Sequence, residues 1–301
     1  MTASVQAINM DFPNNVKLFI KREDLLHPFI SGNKYRKLKY NLLEFEDKKF
    51  DAIITFGGAY SNHIAATAYA CKERGINCVG VIRGDELWKS INENPTLKFA
   101  QECGMKFEFI TREQYRDKNS EELNSYLINK YGNSFVLPEG GTNDLAVKGC
   151  EEIVTNDDDK YNFICCAVGT GGTISGIINS SKESQKILGF PALKGEFLKQ
   201  EICNFAKKSN WDLITNYHFG GYGKVNDELI NFINSFYDKT NIPLDPIYTG
   251  KLVYGVIDLI NKKFFPENSE ILLIHTGGLQ GIKGMNQILS KKNKNVIRFN
   301  E

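Results

Sequence analysis

No stretch of this 301-residue chain is apolar for long enough to span a bilayer. The start, Met1-Thr-Ala-Ser-Val-Gln-Ala, lacks the charged beginning and apolar centre of a secretory signal, so a cytoplasmic protein is expected. Neither sign of charge prevails, with 37 basic against 36 acidic residues. There is no arginine-rich arm and no basic stripe interleaved with aromatics, which argues against nucleic acid and membrane surfaces and leaves a small solute as the expected partner. The seven cysteines (Cys71, Cys78, Cys103, Cys150, Cys165, Cys166 and Cys203) are odd in number, lie mostly inside apolar runs and form no C-x-x-C pair. They read as reduced core residues, and no metal is expected. Nothing matches G-x-x-x-x-G-K-[ST], and a dinucleotide fingerprint starting at Gly169 would need a small residue where Ile174 stands. Internal repeats and low-complexity linkers are absent as well.

What the chain does have is a sustained alternation of short apolar runs with helical patterns. Phe50 to Gly58 reads as a strand buried on both faces, and Asn77 to Arg83, Lys106 to Ile110 and Ser134 to Pro138 read as further strands. Between them, Ile64, Ala65, Ala68 and Cys71 recur at helical spacing before Gly75, which sits where a C-cap belongs. Asn94 to Cys103, with Pro95 in its first turn, and Glu121 to Tyr131 also read as helices. The second half repeats this order. A helix over Leu145 to Val154 leads to the acidic turn Asn156-Asp-Asp-Asp-Lys160, expected as a solvated loop, then to the strand Phe163 to Val168. Helices follow from Ile174 and at Glu196 to Lys207, Asp227 to Tyr237 and Leu252 to Ile260, and Glu270 begins a last strand before a final helix. The length suits two domains. The expected fold is α/β, two open parallel sheets with helices on both faces and ligands at the carboxyl ends of the strands.

The polar residues cluster at those ends. Ser31-Gly-Asn-Lys34 places a lysine at a rigid helix start, which suits a Schiff-base lysine, provided that partial burial keeps the amine neutral part of the time. Gly169-Thr170-Gly171-Gly172-Thr173 joins a strand to a helix, where successive N–H groups form an anion site suited to the phosphate of a compact cofactor. In Gly57-Gly-Ala-Tyr-Ser-Asn-His63, Ser61 and Asn62 offer groups for a carboxylate, or one of them simply caps the helix. His63 taken alone suits a structural role better than a catalytic one. Tyr248 and Thr249 stand at a helix entrance in Leu244-Asp-Pro-Ile-Tyr-Thr-Gly-Lys251, Thr276 ends a strand, and Tyr222 lies in the glycine-rich turn Gly220-Gly-Tyr-Gly223.

These runs resemble, in order and from Lys21 to about Gly284, the family of 1-aminocyclopropane-1-carboxylate (ACC) deaminases and D-cysteine desulfhydrases. That family consists of pyridoxal 5'-phosphate (PLP) enzymes with the tryptophan synthase β-like architecture, fold type II. The matching motifs are K-R-E-D-L, G-N-K-Y-R-K-L, G-G-A-Y-S-N-H, G-T-G-G-T, L-D-P-I-Y-T-G-K and H-T-G-G. By resemblance, Lys34 would carry PLP and Gly169 to Thr173 its phosphate. Asn62 would touch the cofactor's phenolic oxygen, and Ser61 the substrate carboxylate, with Asn62 and His63 in the same substrate-binding loop. Tyr222 and Tyr248 would flank the substrate, and Thr276 or Thr249 would lie near the pyridine nitrogen. The resemblance also implies a homodimer, with a large PLP-binding domain over 1–37 and 142–301 and a small mobile domain over 38–141. The stretch from Ser180 to Asn216 looks shorter than in such relatives.

One position bears on the reaction. After the tyrosine, the deaminases carry glutamate and the desulfhydrases threonine, and here the residue is Thr249. ACC has no α-hydrogen and needs a strong electron sink, which a carboxylate near the pyridine nitrogen favours; D-cysteine has an α-hydrogen and a good leaving group. The expected activity is therefore β-elimination from a small amino acid, D-cysteine giving pyruvate, sulfide and ammonia. The alternatives are ACC deamination to 2-oxobutyrate and a catalytically silent PLP or phospho-metabolite binder.

Overall fold

Six uncharged residues in a row, Phe163 to Val168, leave a strand no face to turn to water, and such a strand must lie at the middle of a covered sheet. The computed structural model describes residues 2–195 and 197–299. Numbered along the chain, its strands are β1 (Val5–Ile8), β2 (Lys17–Lys21), β3 (Ala52–Gly57), β4 (Asn77–Arg83), β5 (Lys106–Ile110), β6 (Ser134–Leu137), β7 (Phe163–Val168), β8 (Lys186–Pro191), β9 (Trp211–Leu213) and β10 (Glu270–Ile274). Its helices are α1 (Asn33–Lys48), α2 (Asn62–Arg74), α3 (Pro95–Glu102), α4 (Arg112–Arg116), α5 (Glu121–Tyr131), α6 (Asp144–Cys150), α7 (Gly172–Ser180), α8 (Phe197–Cys203), α9 (Asp227–Thr240), α10 (Thr249–Asn261) and α11 (Gly281–Lys291).

Among the described residues the strands form two sheets, in the orders β1-β2-β10-β7-β8-β9 and β5-β4-β3-β6. The smaller sheet is parallel throughout. In the larger one β1 departs from the expectation and runs antiparallel to β2, with Val5 opposite Lys21. Side chains on β7 alternate as a buried strand requires. Cys165 and Ala167 join the apolar layer beneath α9, α10 and α11, while Ile164, Cys166 and Val168 join the layer beneath α6, α7 and α8. The smaller sheet repeats the scheme, with Ile53 facing α1, α2 and α3, and Ile54 and Phe56 facing Tyr115 of α4 and Leu127 of α5. Each of these fully buried aliphatic side chains contributes about 1.5–3 kcal/mol relative to exposure.

Four strands, β1, β2, β8 and β9, escaped the sequence pattern, two of them for clear physical reasons. β2 ends in lysine, yet Lys21 is buried and pairs with the buried carboxylate of Asp158. That pair corrects the reading of Asn156 to Lys160 as merely solvated, since one of its acids neutralises a charge in the core. β8 contains Gly189 and ends in Pro191, which disguised it as a loop. In the helical stretch expected from Glu196 to Lys207, residue 196 lies outside the described residues and α8 ends at Cys203. Cys203 is exposed, whereas the other six cysteines are buried and all seven are free. Helix boundaries follow local chemistry: Asn94 caps α3 ahead of Pro95, and Gly75 ends α2 in the left-handed conformation at φ 65°.

Candidate active site

The site begins with a contact that only glycine permits. Gly32 precedes α1 at φ 63°, and a Cβ there would lie 2.0 Å from the carbonyl oxygen of Thr276. The Asn33 N–H donates to that same oxygen at 3.3 Å, so the start of α1 is held against the loop that follows β10. Lys34 therefore leaves a fixed backbone. Its Nζ donates to Asn33 Oδ1 at 3.3 Å. Desolvation, followed by the charge of nearby Lys37, lowers its pKa from 10.5 to about 7. A substantial fraction of this amine is thus unprotonated and nucleophilic at neutral pH.

Lys37, one turn later on the same face, is buried, and burial lowers its pKa too. It differs in having oxygen partners: Nζ donates to Gly140 O at 3.0 Å, Thr142 Oγ1 at 2.8 Å and Thr170 Oγ1 at 3.4 Å. Thr170 belongs to the Gly169–Thr173 turn between β7 and α7. The N-cap of α7 is Gly171, at φ 84° and without a side-chain cap. The first N–H groups of the helix thus stay available to an anion, with a buried ammonium beside them. Asn33 Nδ2 donates to Thr173 Oγ1 at 2.8 Å, tying the lysine helix to this turn.

Lys34, Lys37, Asn62, Gly169, Thr170, Gly171, Thr173, Tyr248 and Thr276 all line one cleft of about 710 Å3, part of it open to solvent. Asn62 Oδ1 accepts a hydrogen bond from Gln280 Nε2, which bridges α2 to the segment after β10. Tyr248 is partly buried, and desolvation holds its phenol well above the ordinary value, so it carries its proton at neutral pH. Tyr222 is half exposed outside the lining, its ring centroid 6.2 Å from that of Tyr248 in an edge-on arrangement.

Besides Tyr222, four expected residues lie off the lining. Ser61 Oγ accepts from the Ile64 N–H at 3.3 Å and so caps α2. His63 is buried behind the loop, within 2.7 Å of Thr55 Oγ1, where burial pulls its pKa well below 6.5 and keeps it neutral. Gly172 packs against Thr142 and Lys37. Thr249 is fully buried, and its hydroxyl donates to Asp245 Oδ1 at 2.7 Å. The Asp245 carboxylate also accepts from the N–H groups of Ile247, Tyr248 and Thr249 at 2.8–2.9 Å. Of the two threonines considered for the far end of the cleft, Thr276 lines it and Thr249 does not.

Sequence reasoning passed over Lys37, Asn33, Gln280 and Asp245. Lys37 could have been found, because a lysine three residues beyond Lys34 on a helix shares its face. The roles of Gln280 and Asp245 depend on contacts that spacing alone does not announce.

A partly neutral amine, an uncapped helix start with a buried cation, and a hydroxyl within one cleft suit a compact phosphate-bearing aldehyde. Comparison with known proteins agrees. A protein from Pyrococcus horikoshii provisionally named a 1-aminocyclopropane-1-carboxylate deaminase is 33% identical over 288 residues, covering 88% of this chain and 85% of its own. The mitochondrial bifunctional D-cysteine desulfhydrase/1-aminocyclopropane-1-carboxylate deaminase of Arabidopsis thaliana is 32% identical over 300 residues, covering 90% and 74% respectively. A crystal structure of an ACC deaminase homologue superposes with a TM-score of 0.82 at 29% identity, covering 96% of this chain and 94% of that one. The model of the family described as "Pyridoxal-phosphate dependent enzyme" matches residues 2–277, and the chain belongs to that family, within its ACC deaminase and D-cysteine desulfhydrase branch.

Proposed function

We propose that the chain is a β-eliminating lyase that converts D-cysteine and water to pyruvate, sulfide and ammonia. The observation that supports this reading is the environment of Thr249: its side chain is spent on Asp245, and the Asp245 carboxylate is itself occupied by four donors. Position 249 therefore offers the cleft no carboxylate, and Thr276 offers a neutral hydroxyl. When bound, PLP supplies the electron sink for negative charge at the substrate α-carbon. Lys37 and the open start of α7 would hold the phosphate, while Asn62 would orient the ring. Lys34 would hold the cofactor through Nζ, and the same amine would take the α-proton; a pKa near neutrality suits a general base. Tyr248 keeps its proton and can donate a hydrogen bond to the departing sulfur. His63, neutral and enclosed, would support the loop without moving a proton.

ACC deamination is favoured instead by the name of the Pyrococcus horikoshii relative, while the Arabidopsis name carries both activities. The deciding assay compares pyruvate and sulfide release from D-cysteine with 2-oxobutyrate release from ACC, in the wild type and in Thr249→Glu. Faster release from D-cysteine, with the ratio moving toward ACC in the variant, is expected. Preference for ACC in the wild type would overturn the assignment. Inactivity on both substrates in a PLP-loaded protein would leave the silent binder.

We also propose that residues 38–141 form a lobe that closes over the cleft and that the enzyme is a homodimer. The Asn62–Gln280 bond supports closure, since it spans the two sheets. Small-angle scattering should give a dimer that compacts when an amino acid binds.

A further inference from the structure

A second cleft opens at the carboxyl ends of the smaller sheet's strands, the edge where open α/β sheets bind ligands. It encloses about 790 Å3, part of it open to solvent, and is lined by Arg83, Arg112, Tyr115, Arg116, Lys118 and Glu139. Four cations thus face one carboxylate. Arg112 is committed to Glu86, with Nη1 at 3.0 Å from Oε2, and Lys118 lies 3.3 Å from Glu139. Among the described residues, Arg83 and Arg116 find no acceptor.

Tyr115 makes this more than a basic patch. It is 4% exposed, and its hydroxyl has no hydrogen-bond partner among the described residues. A buried phenol without a partner costs about 1–3 kcal/mol, which an acceptor brought beside it would recover. The Arg83 guanidinium stands 5.8 Å from the ring centroid and Lys118 Nζ 5.4 Å from it, so both cations lie over the ring of this tyrosine. Burial, then the charge of Glu139 and the pull of that carboxylate on the phenol proton, push the phenol upward, so the group keeps its proton to donate, and an entering anion would compete with Glu139 for it. This cleft also adjoins the active site, because Gly140, next to Glu139, lines the first cleft.

We propose that this second cleft binds a small doubly charged oxyanion, with the guanidinium groups of Arg83 and Arg116 and the Tyr115 hydroxyl as donors. Phosphate monoesters and dicarboxylates share that chemistry, and arginine forks suit both. The test is calorimetric titration of PLP-saturated enzyme at constant ionic strength, with sulfate as the tetrahedral probe and malonate as the dicarboxylate. Saturable binding of one ion per chain is expected, weakened about tenfold or more in Arg83→Gln/Arg116→Gln and about threefold or more in Tyr115→Phe. Tighter binding of sulfate assigns the phosphate class, tighter binding of malonate the dicarboxylate class. Arg112→Gln removes a cation already paired and should change affinity less than about twofold. The proposal is overturned if neither probe binds saturably, if the double variant binds as the wild type does, or if Arg112→Gln weakens binding as much as the double variant.

Discussion

Two glycine-rich turns with the same sequence grammar, Gly57–His63 after β3 and Gly169–Thr173 after β7, start their helices in opposite ways. In the first, Ser61 turns its hydroxyl onto the Ile64 N–H and fills the helix start from within. In the second, the N-cap is Gly171, no side chain fills the start, and Lys37 reaches Thr170 of the same turn. The difference teaches that a strand–glycine–helix turn keeps its first N–H groups free for an anion only when no side chain caps it, and a nearby cation adds to that suitability. A capped turn serves another purpose: it fixes the next residue, here Asn62, at the cleft wall.

If the β7 turn and the α1 lysines form the chemical half of the site, the largest losses must come from there. Lys34→Ala should lower turnover by about a thousandfold or more, since attachment and proton transfer disappear with the amine. Borohydride reduction of the wild type should label Lys34, and a label on another lysine would break the comparison at its root. Lys37→Met keeps the length of the side chain but removes the ammonium. It should weaken PLP affinity by about tenfold to a hundredfold, because a charge-assisted hydrogen bond contributes about 1.5–3 kcal/mol. Equilibrium dialysis of PLP measures it, and unchanged affinity would mean that the open helix start acts alone.

Much of this contrast was legible in the residues. The capless character of Gly169–Thr173 is written in its glycines, and Ser31-Gly-Asn made Lys34 a candidate that only the other motifs of the chain, taken together, singled out. The alternation of strands and helices was equally plain from β3 to α5, where apolar runs and turn residues are cleanly separated. What stayed hidden involves charge inside the protein. Lys21 on β2 looks like a surface residue until Asp158 is found beside it, and Asp245 looks like a turn former until its carboxylate collects three N–H groups and a hydroxyl. Ser61 and Asn62 offered two candidates for one cap, and local sequence could not say which would turn inward, because that depends on Gln280 more than two hundred residues away.

The two lysines also make the comparison testable by pH. With a pKa of about 7, lowered first by desolvation and second by Lys37, the Lys34 amine of the cofactor-free protein gains its proton as pH falls through 7. The rate of PLP capture should therefore rise about tenfold from pH 6 to pH 8 and level off above. Removing the neighbouring charge in Lys37→Met must raise the Lys34 pKa, so the midpoint should move to higher pH. A midpoint that stays put would leave desolvation as the sole cause.

The smallest effect tests the capped turn. Ser61→Ala removes the one side-chain acceptor at the start of α2 while leaving Asn62 in place. If Ser61 acts only as a cap, stability should fall by about 1 kcal/mol, which at this chain length shifts Tm by about 2 °C or less. Ser61→Gly should restore most of the loss, since glycine is itself a tolerated N-cap. Turnover separates capping from contact with the substrate. A hydroxyl that also reached the substrate carboxylate would raise KM in both variants alike, whereas a pure cap would leave KM of the glycine variant near that of the wild type. Parallel thermal melts and KM values for the two variants thus decide whether the β3 turn gives part of its helix start to a ligand.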